Sequence, residues 1–142
     1  MSISEWPRWI ISSVTDHFDE GLTDINLYVN NQKVEEDHQT VIIDIDHDFE
    51  KHDSNNYTIE VRLSIVVQIV DDSDIYSIAD INGTILTLLK SIPIYRYGLD
   101  SSLFGCLQPI SKVRINNLGR IQPANQVQRS IIEQEFKMIA KE

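Results

Sequence analysis

Cysteine is nearly missing from this chain. Cys106 stands alone among 142 residues, which excludes an intrachain disulfide framework and any multi-cysteine metal site. It lies between Gly105 and Leu107 with no cation or histidine beside it, so a small buried hydrophobe explains it better than a catalytic thiolate. Glycine is scarce too. The 5 present compose no Gly-x-Gly-x-x-Gly fingerprint and no phosphate loop, and no serine sits in a Gly-x-Ser-x-Gly elbow. Positive charge is the third shortage: 12 Lys and Arg face 22 Asp and Glu, for a formal net charge of −10 and a pI of about 4.7. That balance argues against a general nucleic-acid binder, which carries a basic excess. It keeps a single copy soluble and opposes assembly at low salt. No apolar run approaches the ~20 residues of a membrane span, and the start, Met1 to Trp9, has neither a basic n-region nor an apolar h-region. The expectation is a soluble protein, made in a reducing cytosol, with no membrane partner.

What is there suffices for a core. Hydrophobic residues make up 42% of the chain and charged residues 24%, an ordinary globular balance, and the length suits a single domain over 1–142. Ser4 to Glu20 reads as a helix. Ser4 would be the N-cap, Glu5 favours the positive dipole end, Pro7 is tolerated in the first turn and Gly21 is the stop. Ile10, Ile11, Val14 and Phe18 recur at helical spacing. Ile25 to Val29 reads as a short strand ending at the turn signal Asn30-Asn31, with a polar stretch from Gln32 to Gln39 after it. Thr40 to Asp46 alternates Val41, Ile43 and Ile45 with Ile42, Asp44 and Asp46, a strand with one apolar and one increasingly acidic face. Phe49 to Asn56 reads as a polar loop, with a turn cluster from Asp53 to Asn56. Tyr57 to Val70 is dense in β-branched residues and reads as a long central strand, paired with Val41 to Asp46 as a hairpin.

Asp71 to Asp74 offers N-caps for a second helix. Its wide apolar stripe comprises Ile75, Ile78, Ala79, Ile81, Ile85, Leu86, Leu88 and Leu89, and Pro93 closes it off. Gly83 either weakens this helix by about 1 kcal/mol relative to Ala or admits a close neighbour. Gly98 to Ser102 reads as a loop, Val113 to Asn116 as a short strand, Asn117 to Gly119 as a turn and Gln122 to Asn125 as a break. The last segment, Gln126 to Lys141, fits two patterns. Val127, Ile131, Ile132, Phe136 and Ile139 make a helical stripe. Ile132, Gln134, Phe136 and Met138 make a strand face, with Glu133, Glu135 and Lys137 opposite. Periodicity slightly prefers helix. The order of parts implies an α+β domain in which two helices cover one face of a mainly antiparallel sheet.

The most distinctive stretch is Ser91 to Gly98, apolar, aromatic and punctuated by Pro93, with no catalytic group near it in sequence. Alternation along a strand puts Tyr95 and Tyr97 on one face and Arg96 on the other. Such a motif points to a presented surface rather than to chemistry. Trp6 and Trp9 share a helix face; core packing is the plainer account, an aromatic anchor at a subunit contact the sharper one. Metal ligation must be weighed over Asp44 to Asp53. An EF-hand loop from Asp44 needs Gly sixth and Glu twelfth, where Phe49 and Asn55 stand. His47 and His52 are five apart and match no zinc pattern, so a solvated strand end and loop is the better account. His17 and His38 are isolated. Glu133 and Glu135 would share a strand face, yet a glycosidase-like pair needs a cleft. The basic residues Arg96, Lys112, Arg114, Arg120 and Arg129 form no run. They read as surface charges, or as partners for acidic faces on neighbouring subunits. No catalytic residue, metal or cofactor is expected.

Taken in order, the parts resemble the tail terminator proteins of long-tailed bacteriophages, and the related tail-completion and head-to-tail joining proteins. The resemblance rests on the opening helix Trp6-Pro-Arg-Trp-Ile10, the hairpin ending in Glu60 to Val70, and the helix with Asp74 to Ala79. It continues through Pro93 to Gly98, Gly105 to Leu107 and the segment with Ile132 to Met138. It implies a non-enzymatic virion protein of the tail or neck, assembled in the host cytoplasm. Copies would form a ring, commonly hexameric, that caps the tail tube, stops its polymerisation and receives the head-side connector. Its partners would be itself, the tail tube protein and the connector or neck protein, with DNA crossing the lumen unbound. It implies a strand, not a helix, over Gln126 to Met138. On this reading Trp6, Trp9, Tyr95, Arg96, Tyr97 and Phe104 are candidates for subunit or partner contacts, the long hairpin makes ring contacts, and Asp44, Asp46 and Asp48 line an acidic channel. The competing readings are another neck or head-completion protein, a monomeric or dimeric assembly chaperone or binding module, and a small hydrolase or metal-dependent enzyme using Asp44 to Asp53.

Overall fold

The chain opens with a 3-10 turn, Ile3–Glu5, that runs directly into helix α1 (Trp6–Gly21). The computed structural model describes all residues except 1–2, 31, 33, 35–38, 54, 71–73, 75 and 123–126. Ser4 is not the N-cap: Glu5 holds that place in a helical backbone conformation, and no side chain caps the end. A chain already wound into a 3-10 turn enters the helix without the extended cap residue that a serine would supply. Gly21 is the last helical residue, and the Leu22 N–H closes the helix on the Phe18 carbonyl at 2.9 Å.

Strand β1 (Asn26–Val29) pairs parallel with β2 (Gln39–Lys51). The turn signal at Asn30-Asn31 is described only at Asn30, and His38 lies outside the described residues. β2 runs beyond Asp46, which shortens the loop expected over Phe49 to Asn56: Phe49, Glu50 and Lys51 pair with Ile59, Thr58 and Tyr57. Phe49 also packs its ring 6.2 Å from that of Trp6, a long-range contact that local polarity does not announce. The hairpin turns on Asp53, whose carboxylate accepts the Asn55 N–H at 3.0 Å, the Asn56 N–H at 3.0 Å and the Asn56 side-chain amide at 2.9 Å. Those donors hold the Asp53 carboxyl below its ordinary range.

β3 (Asn56–Ile69) is the central strand, antiparallel to β2 on one side and to β7 (Val127–Lys141) on the other. The final segment is thus a strand, against its slight helical periodicity. Ile132, Gln134, Phe136 and Met138 point inward, while Glu133, Glu135 and Lys137 are exposed. After β3 the chain forms α2 (Ser77–Leu88), whose N-cap is Tyr76. Of the expected capping run, Asp71 to Ser73 lie outside the described residues; Asp74 accepts the Tyr76 N–H at 2.9 Å. The buried stripe of α2 is narrower than the sequence suggests, comprising Ile81, Asn82 and Ile85, with Ala79 and Leu86 exposed. A methyl at Gly83 would meet open space, so that glycine admits no close neighbour and only weakens the helix.

β4 (Ile92–Tyr95), which contains Pro93, and β5 (Leu103–Pro109) form a second hairpin. β6 (Arg114–Gln122) is longer than expected. Asn117 to Gly119 is not a turn but an irregularity inside it, where the register on β7 shifts between Asn117 and Arg120. The break expected from Gln122 onward falls on the last residue of β6 and on 123–125, outside the described residues. The sheet order is β1-β2-β3-β7-β5-β4, with β6 on β7 beside β5. The architecture is therefore α+β, a curled and mainly antiparallel sheet with two helices.

Helix α1 lays Trp6, Trp9, Ile10, Val14 and Phe18 onto the inner face of the sheet, against residues such as Ile43, Ile59, Ile65 and Phe136. Within this core the Ser130 hydroxyl donates to Asn82 Oδ1 at 2.7 Å, tying β7 to α2. Replacing Ser130 with alanine leaves a buried acceptor unpaired and is expected to cost about 1–3 kcal/mol. Adding Asn82→Leu should recover part of that loss, read as a coupling in a double-mutant cycle of urea denaturation.

Candidate functional site

Among the described residues no helix lies over the outer face of the sheet, which holds most of the charge that period-two alternation exposes. Asp44, Asp46 and Asp48 are all exposed there, as their spacing in β2 requires. The cross-strand register sets Asp44 level with Ser64 and Glu133, and Asp46 level with Arg62 and Glu135. Arg114 of β6 completes the first row opposite Glu133. A groove of about 590 Å³ runs over these rows, with Ser111 and Lys112 on its far wall. Asp48 meets Arg62 at 2.7 Å, both side chains being well exposed, which limits the worth of the pair.

Glu133 and Glu135 thus share a face, as alternation implied, and the concavity that a glycine-poor sequence did not announce lies over them. Lys112 and Arg114 belong to it as well. They were legible only as scattered cations, because their neighbours stand far away in sequence and long-range register alone brings them together. Gln134, 3% exposed, points the other way and donates from its amide to the Ser111 carbonyl at 2.9 Å and hydroxyl at 3.1 Å. This fixes the wall of the groove.

The aromatic residues form a separate cluster. Trp6 and Trp9 are 2% and 0% exposed: they are core residues of a single copy, not surface anchors. The Phe104 ring lies 5.1 Å from each of them, with the Arg96 guanidinium over it at 5.4 Å. Arg96 also donates to the Ser102 hydroxyl at 2.7 Å and the Leu103 carbonyl at 3.1 Å. Tyr95 and Tyr97 stand together, ring centroids 6.4 Å apart and nearly perpendicular, although β4 ends at Tyr95 and Tyr97 lies in the turn after it, where strand alternation does not apply. Of the six candidates, Tyr95 is the one classed as exposed.

Trp9 Nε1 donates to the Tyr97 carbonyl at 2.9 Å, and the Tyr97 hydroxyl donates to Asp16. The bond to Asp16, followed by burial, pushes the Tyr97 phenol up to about 12. A phenol that ionises later in the folded chain than in the unfolded one stabilises fully below pH ~10, and the contribution is lost as pH rises toward the folded value. Tyr97→Phe is expected to remove the latest step from a tyrosinate absorbance titration and to flatten the decline in stability over that window.

No catalytic constellation assembles from the remaining candidates. Cys106 is half-buried. His17 donates to the Leu88 carbonyl at 2.7 Å, binding α1 to the end of α2. His47 lies against Phe49, and His52 bonds Thr58. Among the described residues no three His, Cys, Asp or Glu side chains converge as metal ligands would, and no helix is long and apolar enough to cross a membrane. Compared with protein-family models and with curated protein sequences, the chain matches none.

Proposed function

We propose that this chain is a structural virion protein of the tail terminator type. Its copies close into a ring, six in the reading that the resemblance implies, which caps the tail tube, stops its polymerisation and offers a surface to the head-side connector. One observation carries the reading: the sheet has two unlike faces. Helices roof one of them, and among the described residues no helix covers the other, which bears Asp44, Asp46, Asp48, Glu133 and Glu135, with Arg62 and Arg114 set among them. A ring that turns the bare face to its opening presents carboxylates to passing DNA, and like charge disfavours phosphate contact. The outer face is a recognition and exclusion surface, and no reaction is assigned to it.

The test is native mass together with location. The purified chain is expected to give a multiple of 16.4 kDa. Assembly should strengthen as salt screens the net charge of −10. Particle images should place it between tail tube and connector. A chain that stays at 16.4 kDa at every salt and concentration, and is absent from particles, would remove the reading.

A further inference from the structure

Two edges of this sheet are bare, and they fit each other. β1 covers β2 only as far as Ile43. Asn30 ends that coverage, its N–H on the Ile43 carbonyl at 2.9 Å and its side-chain oxygen accepting the Ile45 N–H at 2.8 Å. Backbone groups alternate between edges along a strand. Those of His47 and Phe49 therefore point as Ile45 does, away from β3, and among the described residues no strand meets them. On the far side β6 pairs, among the described residues, with β7 alone. The Ile110 N–H on the Glu135 carbonyl shows which β7 groups face this side. From there the register turns Arg114 and Asn116 toward β7, and Ile115 and Asn117 outward. Residues 114–118 are exposed on both faces of the sheet. An unpaired strand edge of this kind, bearing Ile115 and Leu118, is a template for another strand.

We propose that the β6 edge of one copy pairs with the distal β2 edge of a second copy, extending the sheet head to tail. Direction agrees: β2, β3, β7 and β6 are each antiparallel to the next, so a second copy in the same orientation brings its β2 antiparallel to β6. The faces agree: the outward backbone groups on both edges belong to residues on the inner face, Ile115 opposite buried Ile132 and His47 beside Phe49. Pairing therefore keeps the helices of both copies on one side. Charge agrees as well. Ile115 opposite His47 sets Arg114 against Asp48 and brings Lys112 toward Glu50, opposite charges that favour cross-strand pairing.

That register also has a shape. Asn116 meets Asp46 of the next copy, while in its own copy it stands level with Ile42, through Ile131 and Val66. The step from 42 to 46 shifts each copy by about 13 Å along the strand for about 19 Å across four strands. The resulting tilt is about 35°, within the range that closed barrels adopt. Such a heterologous contact closes when its rotation divides the circle. The inference rests on the ring reading only for that closure.

Arg114→Cys and Asp48→Cys, each placed in a Cys106→Ser chain, test the pairing. Within one copy two strands separate these positions, about 14 Å or more, beyond disulfide reach. Mixing the two variants under mild oxidation is expected to give a covalent heterodimer. The chain carrying both changes should give a ladder of covalent multimers. An Ile139→Cys chain, at a site 74% exposed and away from both edges, should give neither with the same partners. Absent or equally frequent cross-links in a chain whose native mass is a multiple overturn the edge pairing and leave the ring standing. Absent cross-links in a chain that is always single overturn both.

Discussion

Replacing Trp9 with alanine is expected to cost about 3–5 kcal/mol of folding stability, a large share of the ~5–15 kcal/mol that an ordinary domain possesses. Trp9 is fully buried and joins three parts of the molecule. Its ring stacks edge-on against Phe104 of β5 at 5.1 Å, its indole N–H holds the Tyr97 carbonyl after β4, and its helix lies across the sheet. Truncation removes the apolar area, opens a cavity and strands a carbonyl, three losses that act in the same direction. Urea denaturation followed by far-ultraviolet circular dichroism reads the shift. Tyr95→Ala, at a side chain 38% exposed, is the contrast and should stay within ~0.5 kcal/mol. If Trp9 were an interface anchor instead, its removal would weaken assembly and leave the stability of a single copy unchanged.

The two tryptophans show where local pattern suffices. Their spacing put them on one helix face, and core packing was the plainer account of them. Asp44, Asp46 and Asp48 were legible for the same reason: a strand exposes every second residue, whatever its neighbours do. The last strand was harder because the apolar residues on its outer face imitate a helix. Ile139 is 74% exposed and Ile131 half-buried, while buried Gln134 breaks the inner apolar row. Nothing local shows that Ser111 will satisfy its amide. β5 escaped for a related reason. Gly105 and Pro109 are poor strand formers, yet Gly105 is where the Met138 side chain closes in, leaving no room for a Cβ. The groove was out of reach altogether, since its walls come from β2, β3, β7 and the segment before β6.

Exchanging Asp44, Asp46 and Asp48 for lysine together is expected to make the chain hold duplex DNA more tightly than the unaltered chain does. Each change adds two charges, so the formal net charge moves from −10 to −4. The change falls on one exposed face of β2 and leaves the inner face, with Val41, Ile43 and Ile45, as it was. Three lysines that neutralise about three phosphates give affinity a slope near −2.7 against salt on logarithmic axes, a loss of roughly 40-fold between 50 and 200 mM. Fluorescence anisotropy of a labelled duplex across that range reads both the gain and the slope. Asp48→Asn alone frees Arg62 from its partner without adding a cation and should show little of either. On the proposed ring reading, the effect would multiply with the number of copies facing the opening, and particles carrying the triple change should release their genome slowly. Unchanged anisotropy, together with unchanged release from particles that incorporate the variant, would mean that the acidic face does not look onto the path of the DNA. A sheet edge-paired between copies would then have to turn that face outward.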